Sequence, residues 1–218
     1  AAVLEITMTG PTLEFEEDTF ITLGGAEFSM TLNNEPVENF TVLKINSGDI
    51  LSYGRLKKGF RGYLAVKGGF TSKKVLQSRS YYPSINPKGL IKDRAVIPYE
   101  KTTVFQPKLS EMKVDDHLDE KLLLVGKGPE FTMLSDKQLE HLFFKEFSIA
   151  NENNRMAYQL NESISGHKVS MLTSATLPGT VQFTPNGKLI ILMKDGQTTG
   201  GYPRILQLTD KAISVLAQ

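Results

Sequence analysis

The sequence predicts a mainly β protein with a few short helices. Two runs in the first hundred residues, 12–16 and 27–32, alternate apolar and polar side chains with the period of two that strands require. Turn signals follow such runs closely, including Asn33-Asn34, whose side chains tolerate positive φ, and the pair Gly68-Gly69. Short strands separated by frequent turns are typical of a sandwich or barrel.

Further strands are predicted from apolar or alternating runs along the whole chain. They cover residues 3–6, 40–45, 50–53, 62–66, 122–125, 147–149, 156–160, 181–183 and 189–193. The turn Thr184-Pro185-Asn186-Gly187 is expected to join the last two as a hairpin. Ser135 and Gln138 have the spacing of a capping box, which predicts a helix over 136–146, and 209–218 is predicted as another helix.

Breaks in this pattern indicate two β-rich parts. Pro83, Pro87, Pro98 and Pro107 interrupt the strand pattern, and an acidic run follows at residues 115–120. The linker is therefore expected near 100–120, with an N-terminal part of residues 1–106 and a C-terminal part of residues 107–218. The chain opens on Ala directly into a predicted strand and closes inside a predicted helix, so we expect a fragment of a longer chain.

Charge and cysteine content exclude several classes of function. The 25 Lys and Arg residues against 24 Asp and Glu give a net charge of +1, which leaves no electrostatic footprint for nucleic acid. The chain has no cysteine, which excludes disulfides, thiolate metal sites and a cysteine nucleophile. Its longest apolar run, 189–193, falls far below the roughly 20 residues of a membrane span, and no signal peptide is recognisable. We expect a cytoplasmic protein without a membrane partner.

Motifs for metal-dependent, serine-dependent or phosphate-loop chemistry are missing. His117, His141 and His167 do not fall into a paired zinc-binding motif, so no metal site is predicted. There is no G-x-S-x-G nucleophile elbow. Gly126-Lys127-Gly128 lacks the spacing of a phosphate loop, and no helix is predicted directly after it. A complete serine hydrolase is therefore not expected.

The richest polar segment follows the predicted strand at 189–193. It reads Asp195-Gly196-Gln197-Thr198-Thr199-Gly200-Gly201-Tyr202-Pro203. Paired glycines let a backbone approach a ligand closely, and the amide and hydroxyl groups can donate or accept hydrogen bonds. Such a loop suits a carboxylate, carbamoyl or amide substrate. The alternative is a glycine-rich surface turn.

Two arginines are candidates for holding a negatively charged group. Arg79 lies between Ser78 and Ser80, and Arg155 follows two asparagines just before a predicted strand. A guanidinium can clamp a carboxylate or phosphate through two parallel hydrogen bonds. The alternative for each is an ordinary surface arginine in a polar loop.

Two consecutive blocks carry a resemblance to a known family. Residues 177–187 contain a Pro-Gly-x-Val-Gln strand and a Pro-x-Gly turn, and residues 192–203 end in the loop Asp-x-Gln-Thr-x-Gly-Gly-Tyr-Pro. Together they resemble the allophanate hydrolase subunit 2 family, which includes KipA and the C subunit of 5-oxoprolinase. Segments at 61–69, 78–80 and 154–156 resemble further blocks of the same family in the same order.

The chain also departs from the family pattern. Ala157 and Gln159 stand where members often have Gly and Arg, and the glycine-rich stretch that usually follows Ser80 is shortened. The family pattern usually begins earlier than residue 1 and continues past residue 218. Between these limits the resemblance covers nearly the whole chain.

The resemblance implies cyclophilin-like β-barrel domains and a relation to the carboxyltransferase part of urea carboxylase. It implies a subunit of an ATP-dependent, amide-hydrolysing complex, 5-oxoprolinase, which opens 5-oxoproline to glutamate. The implied partners are the subunit 1 or KipI-like protein and a third oxoprolinase subunit. ATP would be used by this complex.

Under this interpretation, polar side chains bind a small cyclic amide, carbamoyl or carboxyl-phosphate-like substrate. Arg79 and Arg155 would hold its negative charge, and Asp195 would orient a donor or take a proton. The residues predicted to contact the substrate are Ser80, Gln182, Gln197, Thr198, Thr199, Gly200, Gly201 and Tyr202. Preorganised groups of this kind stabilise developing oxyanions.

Two alternatives stay open at this point. The KipA name implies a regulator that binds and antagonises a KipI-like inhibitor of a sporulation kinase. A generic β-barrel binding module is the other. The residues do not separate the enzyme subunit from the regulator, because the same partner family serves both.

Overall fold

The computed structural model describes residues 1–82, 85–86, 91–109, 111–114 and 118–217, and within them the predicted mainly β class is confirmed. Most strands are antiparallel neighbours in two separate sheets, and two α-helices accompany them. Contacts divide the chain into two units, Ala1–Leu118 and Asp119–Ala217. The sequence prediction placed the division after residue 106. Pro83, Pro87, His117 and the acidic residues 115–116 lie outside the described residues.

One six-stranded antiparallel sheet forms the first unit. Two long strands are its centre and pair with each other, while four shorter strands pair with one or the other of them. Along the chain the strands are β1 (Leu4–Thr7), β2 (Thr12–Glu14), β3 (Thr19–Leu32), β4 (Glu35–Pro36), β5 (Val42–Ile45) and β6 (Ile50–Val66). Asn33 and Asn34 adopt φ of 51° and 70° between β3 and β4, as their turn-forming side chains predict.

Strand β6 corrects the sequence prediction, which divided it into two strands at 50–53 and 62–66. The structure runs one strand, Ile50–Val66, through the segment between them. A Cβ on Gly54 would lie 2.4 Å from the carbonyl oxygen of Ser29, and a Cβ on Gly62 would lie 2.9 Å from the ring of Phe28. These glycines therefore allow the close approach of β3 and β6.

A five-stranded antiparallel sheet forms the second unit, beside a separate two-stranded ribbon. The sheet contains β7 (Val125–Lys127), β8 (Ala157–Ser163), β10 (Thr180–Phe183), β11 (Lys188–Leu192) and β13 (Arg204–Leu208), in the spatial order β7-β13-β10-β11-β8. The ribbon pairs β9 (Ser174–Ala175) with β12 (Thr199–Gly200). Strand β10 is buried along its whole length, because β11 and β13 flank it and apolar side chains cover it.

Local signals in the second unit predicted several elements correctly. The predicted hairpin joins β10 and β11, and its Gly187 has φ of 91°, a value that favours glycine. Helix α1 (Asp136–Phe144) carries the predicted capping box, in which Ser135 and Gln138 bond each other's backbone N–H groups. Helix α2 (Asp210–Leu216) starts at a Thr209 cap, as predicted near the end of the chain.

Two predicted strands of the second unit were wrong. Residues 122–125 were expected to form a core strand, but the strand begins only at Val125, and Leu122 and Leu124 are 78% and 64% exposed. Residues 147–149 make a single bridge from Ile149 to Leu160 instead of a strand. Neither helix in the described part of the chain is long and apolar enough to cross a membrane.

Candidate functional site

The polar loop after β11 is fastened at its N-terminal end. The Asp195 backbone N–H donates to the Arg155 carbonyl oxygen at 2.9 Å, and the Arg155 Nε donates to the Asp195 carboxylate at 2.8 Å. Gly196 N–H donates to the Met193 carbonyl at 2.9 Å. Two of the predicted site residues, Arg155 and Asp195, are therefore brought together as an ion pair.

A second ion pair fastens the C-terminal end of the loop. Arg204 donates from Nε and Nη2 to the two Glu130 oxygens at 3.0 and 2.7 Å, and its backbone N–H donates to the same carboxylate at 2.9 Å. The remaining Arg204 nitrogen, Nη1, donates to the Ala175 carbonyl of β9 at 2.7 Å. Hydrogen bonds from the Arg204 side chain hold the pKa of the Glu130 carboxyl below its usual value.

Between these two ends lie residues 197–202, which we call the strap. Thr176, directly after β9, holds the strap from one side. Its hydroxyl donates to the Gln197 carbonyl at 2.5 Å, and its backbone N–H donates to the Thr198 carbonyl at 2.9 Å. The pairing of β9 with β12 extends this contact to Thr199 and Gly200.

Beneath the strap, β10 presents a buried glutamine. The Gln182 side chain is 1% exposed, and its Oε1 accepts a hydrogen bond from Nε2 of Gln197 at 3.3 Å. Nε2 of Gln182 is buried and has no hydrogen-bond partner among the described residues. The structure thus places two predicted site residues in contact and leaves one amide donor unused.

Gly200 is the point of the strap that covers these amides. A Cβ built on Gly200 would lie 2.2 Å from Nε2 of Gln182 and 2.8 Å from Nε2 of Gln197. Real Cβ atoms essentially never show contacts that short, so a side chain at position 200 would require the ends of the Gln182 and Gln197 side chains, or the strap, to shift. Glycine avoids this shift because it has no Cβ.

The outer face of the strap is open to solvent. Gln197, Thr198, Thr199 and Gly201 are exposed, and Tyr202 is 41% exposed. Backbone groups, two hydroxyls and an amide are therefore available along a short segment that is fixed at both ends. Such an arrangement can bind a small polar molecule rich in carbonyl and carboxylate oxygens.

Arg79 and Ser80, the other predicted site residues, belong to the first unit. The Arg79 Nε donates to the Ser72 carbonyl at 2.8 Å, and the Ser80 backbone N–H donates to the Ser78 hydroxyl at 3.1 Å. Both side chains are exposed. Their role in substrate binding stays a prediction.

The first unit also contains an apolar recess of about 340 Å³. Its walls include Leu23, Phe40, Val42, Tyr63 and Glu111. None of the predicted site residues lines it. Its apolar lining does not match a substrate rich in carbonyl oxygens, so the strap is the stronger candidate.

The N-termini of the two α-helices and the Gly126–Gly128 segment are the described features that can be compared with known phosphate-binding sites. Both helix N-termini are capped by their own side chains, Ser135 and Thr209, and each has an Asp in its first turn. An anion such as a triphosphate binds uncapped helix N-termini or glycine-rich phosphate loops. Gly126 and Gly128 lie on or beside β7 and lead into a 3₁₀ turn at Phe131–Met133.

Sequence reasoning missed the residues that position the strap. Glu130 and Arg204 are 74 residues apart, and Thr176 lies in a segment with no recognised motif. The one available signal was Arg204 itself, a charged residue between Pro203 and an apolar strand. A charge in that position needs a partner, but the sequence does not say which one.

Comparisons with known proteins show which family this chain resembles. The family model of the carboxyltransferase domain, subdomain A and B, matches residues 1–218. The C subunit of 5-oxoprolinase from Escherichia coli is 32% identical over 224 residues, which cover 100% of this chain and 72% of that protein. Its counterpart of the same name from Haemophilus influenzae is 30% identical over 219 residues, which cover 99% of this chain and 71% of that protein.

A solved structure agrees in fold. The crystal structure of the Kluyveromyces lactis urea carboxylase superposes with a TM-score of 0.78 at 22% identity, covering 99% of this chain and 22% of that one. The chain therefore spans about a fifth of that protein, and the likeness at this identity concerns the fold. The resemblance predicted from the 177–203 blocks is confirmed.

Proposed function

This chain belongs to the family of carboxyltransferase domains, subdomains A and B, and we propose that it is the part of an ATP-dependent 5-oxoprolinase that helps to form the substrate site. The observation that carries the proposal is the identity of 30% and 32% to the C subunits of two bacterial 5-oxoprolinases over essentially the whole chain. The reaction would open the cyclic amide of 5-oxoproline to give glutamate. Other subunits of the complex would complete the active site.

The chain's own residues supply hydrogen bonds and charge for such a substrate. 5-Oxoproline carries a ring amide carbonyl and a carboxylate, both of which accept hydrogen bonds. The Arg155 guanidinium, whose Nε donates to Asp195, supplies positive charge, and the strap offers the exposed hydroxyls of Thr198 and Thr199. Donors fixed before the substrate arrives stabilise the negative charge that develops on an amide oxygen under attack.

Asp195 has the position of an orienting group. Its carboxylate holds Arg155 at 2.8 Å and its side chain is 22% exposed, so it fixes the guanidinium at the edge of the strap. Its acceptance of a proton from the substrate or water is a further part of the proposal. A role for Arg79 and Ser80 in binding negative charge of the substrate is also part of the proposal.

ATP use is proposed for the complex as a whole. The contribution of this chain's residues would be to bind and orient the amide. The predicted subunit 1 or KipI-like protein and a third subunit would be its partners.

Reconstitution of the complex tests the proposed function. The full-length protein is mixed with the two partner subunits, and 5-oxoproline-dependent release of phosphate and glutamate is measured. We expect both products only when all three proteins are present, because the substrate site would be incomplete without this chain. Equal glutamate formation without this chain would contradict the proposal, as would a complex that forms no glutamate and only relieves kinase inhibition, the behaviour of the KipA-type alternative.

A further inference from the structure

The Gln182 side chain is buried in a way that folding alone does not explain. It lies on β10, the central and fully buried strand of the second sheet, and is 1% exposed. Its Nε2 has no hydrogen-bond partner among the described residues. A buried donor without a partner destabilises a fold, and an apolar side chain of similar size would avoid that cost.

Gly200 of the strap lies against this donor. A Cβ built on Gly200 would lie 2.2 Å from Nε2. Gly200 belongs to the two-residue strand β12, which pairs with the equally short β9 and not with the five-stranded sheet. The Arg155–Asp195 and Glu130–Arg204 pairs fix the loop on both sides of the strap, while Thr176 and β9 hold the strap itself.

We propose that Gln182 is a ligand-binding donor, and that the strap covers its Nε2 until a carbonyl or carboxylate oxygen of the ligand displaces Gly200 from it. The identity of that ligand as 5-oxoproline rests on the proposed function. In the covered state, Gln197 occupies Oε1 of Gln182 and keeps the carboxamide oriented. When the strap lifts, the Nε2 donor becomes available beside the exposed donors of Thr198 and Thr199.

A ligand-binding Gln182 and a purely structural Gln182 predict different effects of its substitution on the melting temperature. Gln182→Met keeps the approximate volume and removes the unpaired donor, so the melting temperature of the variant should stay unchanged or rise. Gln207→Met is the matched control on the neighbouring strand β13. Gln207 has both amide atoms bonded, Oε1 to the Thr180 hydroxyl at 2.9 Å and Nε2 to the Pro178 carbonyl at 2.7 Å. Loss of these two hydrogen bonds in Gln207→Met should lower the melting temperature by about 4 °C or more.

The functional readout is the KM for 5-oxoproline in the assembled complex. We expect Gln182→Met to raise this KM about tenfold, the effect of one lost hydrogen bond to the substrate. A melting temperature that falls as far as that of Gln207→Met would overturn the proposal, because the amide would then be paired. An unchanged KM in a stable variant would overturn it as well.

These outcomes separate the inference from the function on which it rests. A wild-type complex that hydrolyses 5-oxoproline, together with a Gln182→Met complex of unchanged KM, removes only the role of Gln182. A wild-type complex without activity on 5-oxoproline removes the proposed function and this inference together.

Discussion

Gly200→Val is expected to abolish most of the activity of the assembled complex while the two sheets stay folded. Any side chain at this position meets Nε2 of Gln182 and Nε2 of Gln197, which a Cβ would approach to 2.2 and 2.8 Å. Valine adds two methyl groups beyond that Cβ, and they would occupy the space beside Nε2 of Gln182 that the ligand oxygen is proposed to enter. We expect kcat/KM for 5-oxoproline to fall about a hundredfold or more.

Gly126→Val is the matched control for this substitution. Gly126 is an exposed glycine of strand β7, and a Cβ built on it finds its nearest neighbour, the Gln207 carbonyl oxygen, at 3.9 Å. Valine is favoured in strands, so this variant should keep wild-type kcat/KM within a factor of about two. Circular dichroism and thermal melts check that both variants fold. Wild-type activity in folded Gly200→Val would show that the strap is only a turn.

Arg204→Met is expected to lower the free energy of unfolding more than Arg155→Met, the other arginine substitution beside the strap. It removes two side-chain bonds to Glu130 and one to Ala175, in a pair whose side chains are 19% and 26% exposed. Charge-assisted bonds of this kind contribute about 2 kcal/mol or more in total to the free energy of unfolding. Arg155→Met removes the more exposed pair with Asp195 and should cost about 1 kcal/mol or less.

The effect of Arg204→Met depends on pH through Glu130. The folded state lowers the pKa of Glu130 below its ordinary value of 4.5, chiefly through hydrogen bonds from Arg204. A lowered folded pKa stabilises the protein above pH 4.5, and this stabilisation is lost as the pH falls below that value toward the folded pKa. Urea unfolding at pH 7 and pH 3.5 should therefore show a wide gap between wild type and variant at pH 7 and a narrower one at pH 3.5. A gap of equal size at both pH values would contradict a role for the ionised pair.

Local patterns in the sequence predicted the elements whose geometry is set by neighbouring residues. The hairpin at 184–187 forms because Gly187 accepts the positive φ of its turn, and α1 begins at Ser135 because Ser135 and Gln138 cap each other. The alternation of apolar and polar side chains was sufficient to predict the mainly β class. The prediction divided β6 into two strands, because residues 54–61 carry no continuous alternation of apolar and polar side chains.

The candidate site was predictable only in part. The polar composition of residues 195–203 identified the loop, and the Arg155–Asp195 pair lies at its edge. The burial of Gln182, however, depends on how the strap, which begins 15 residues later in the chain, packs over it. The Glu130–Arg204 pair joins positions 74 residues apart. Contacts over such separations are set by tertiary packing and leave no periodic signal in the sequence.

Hydrogen–deuterium exchange of the assembled complex, with and without saturating 5-oxoproline, tests most directly whether the strap is the substrate site. We expect a ligand-dependent change in exchange for the peptide that contains residues 197–202, because the ligand displaces Gly200 from Gln182. The sheet strands β10 and β11 should remain protected in both states, since they are buried and bonded on both edges. Unchanged exchange at 197–202, with changes confined to other peptides of the complex, would contradict the assignment of the site.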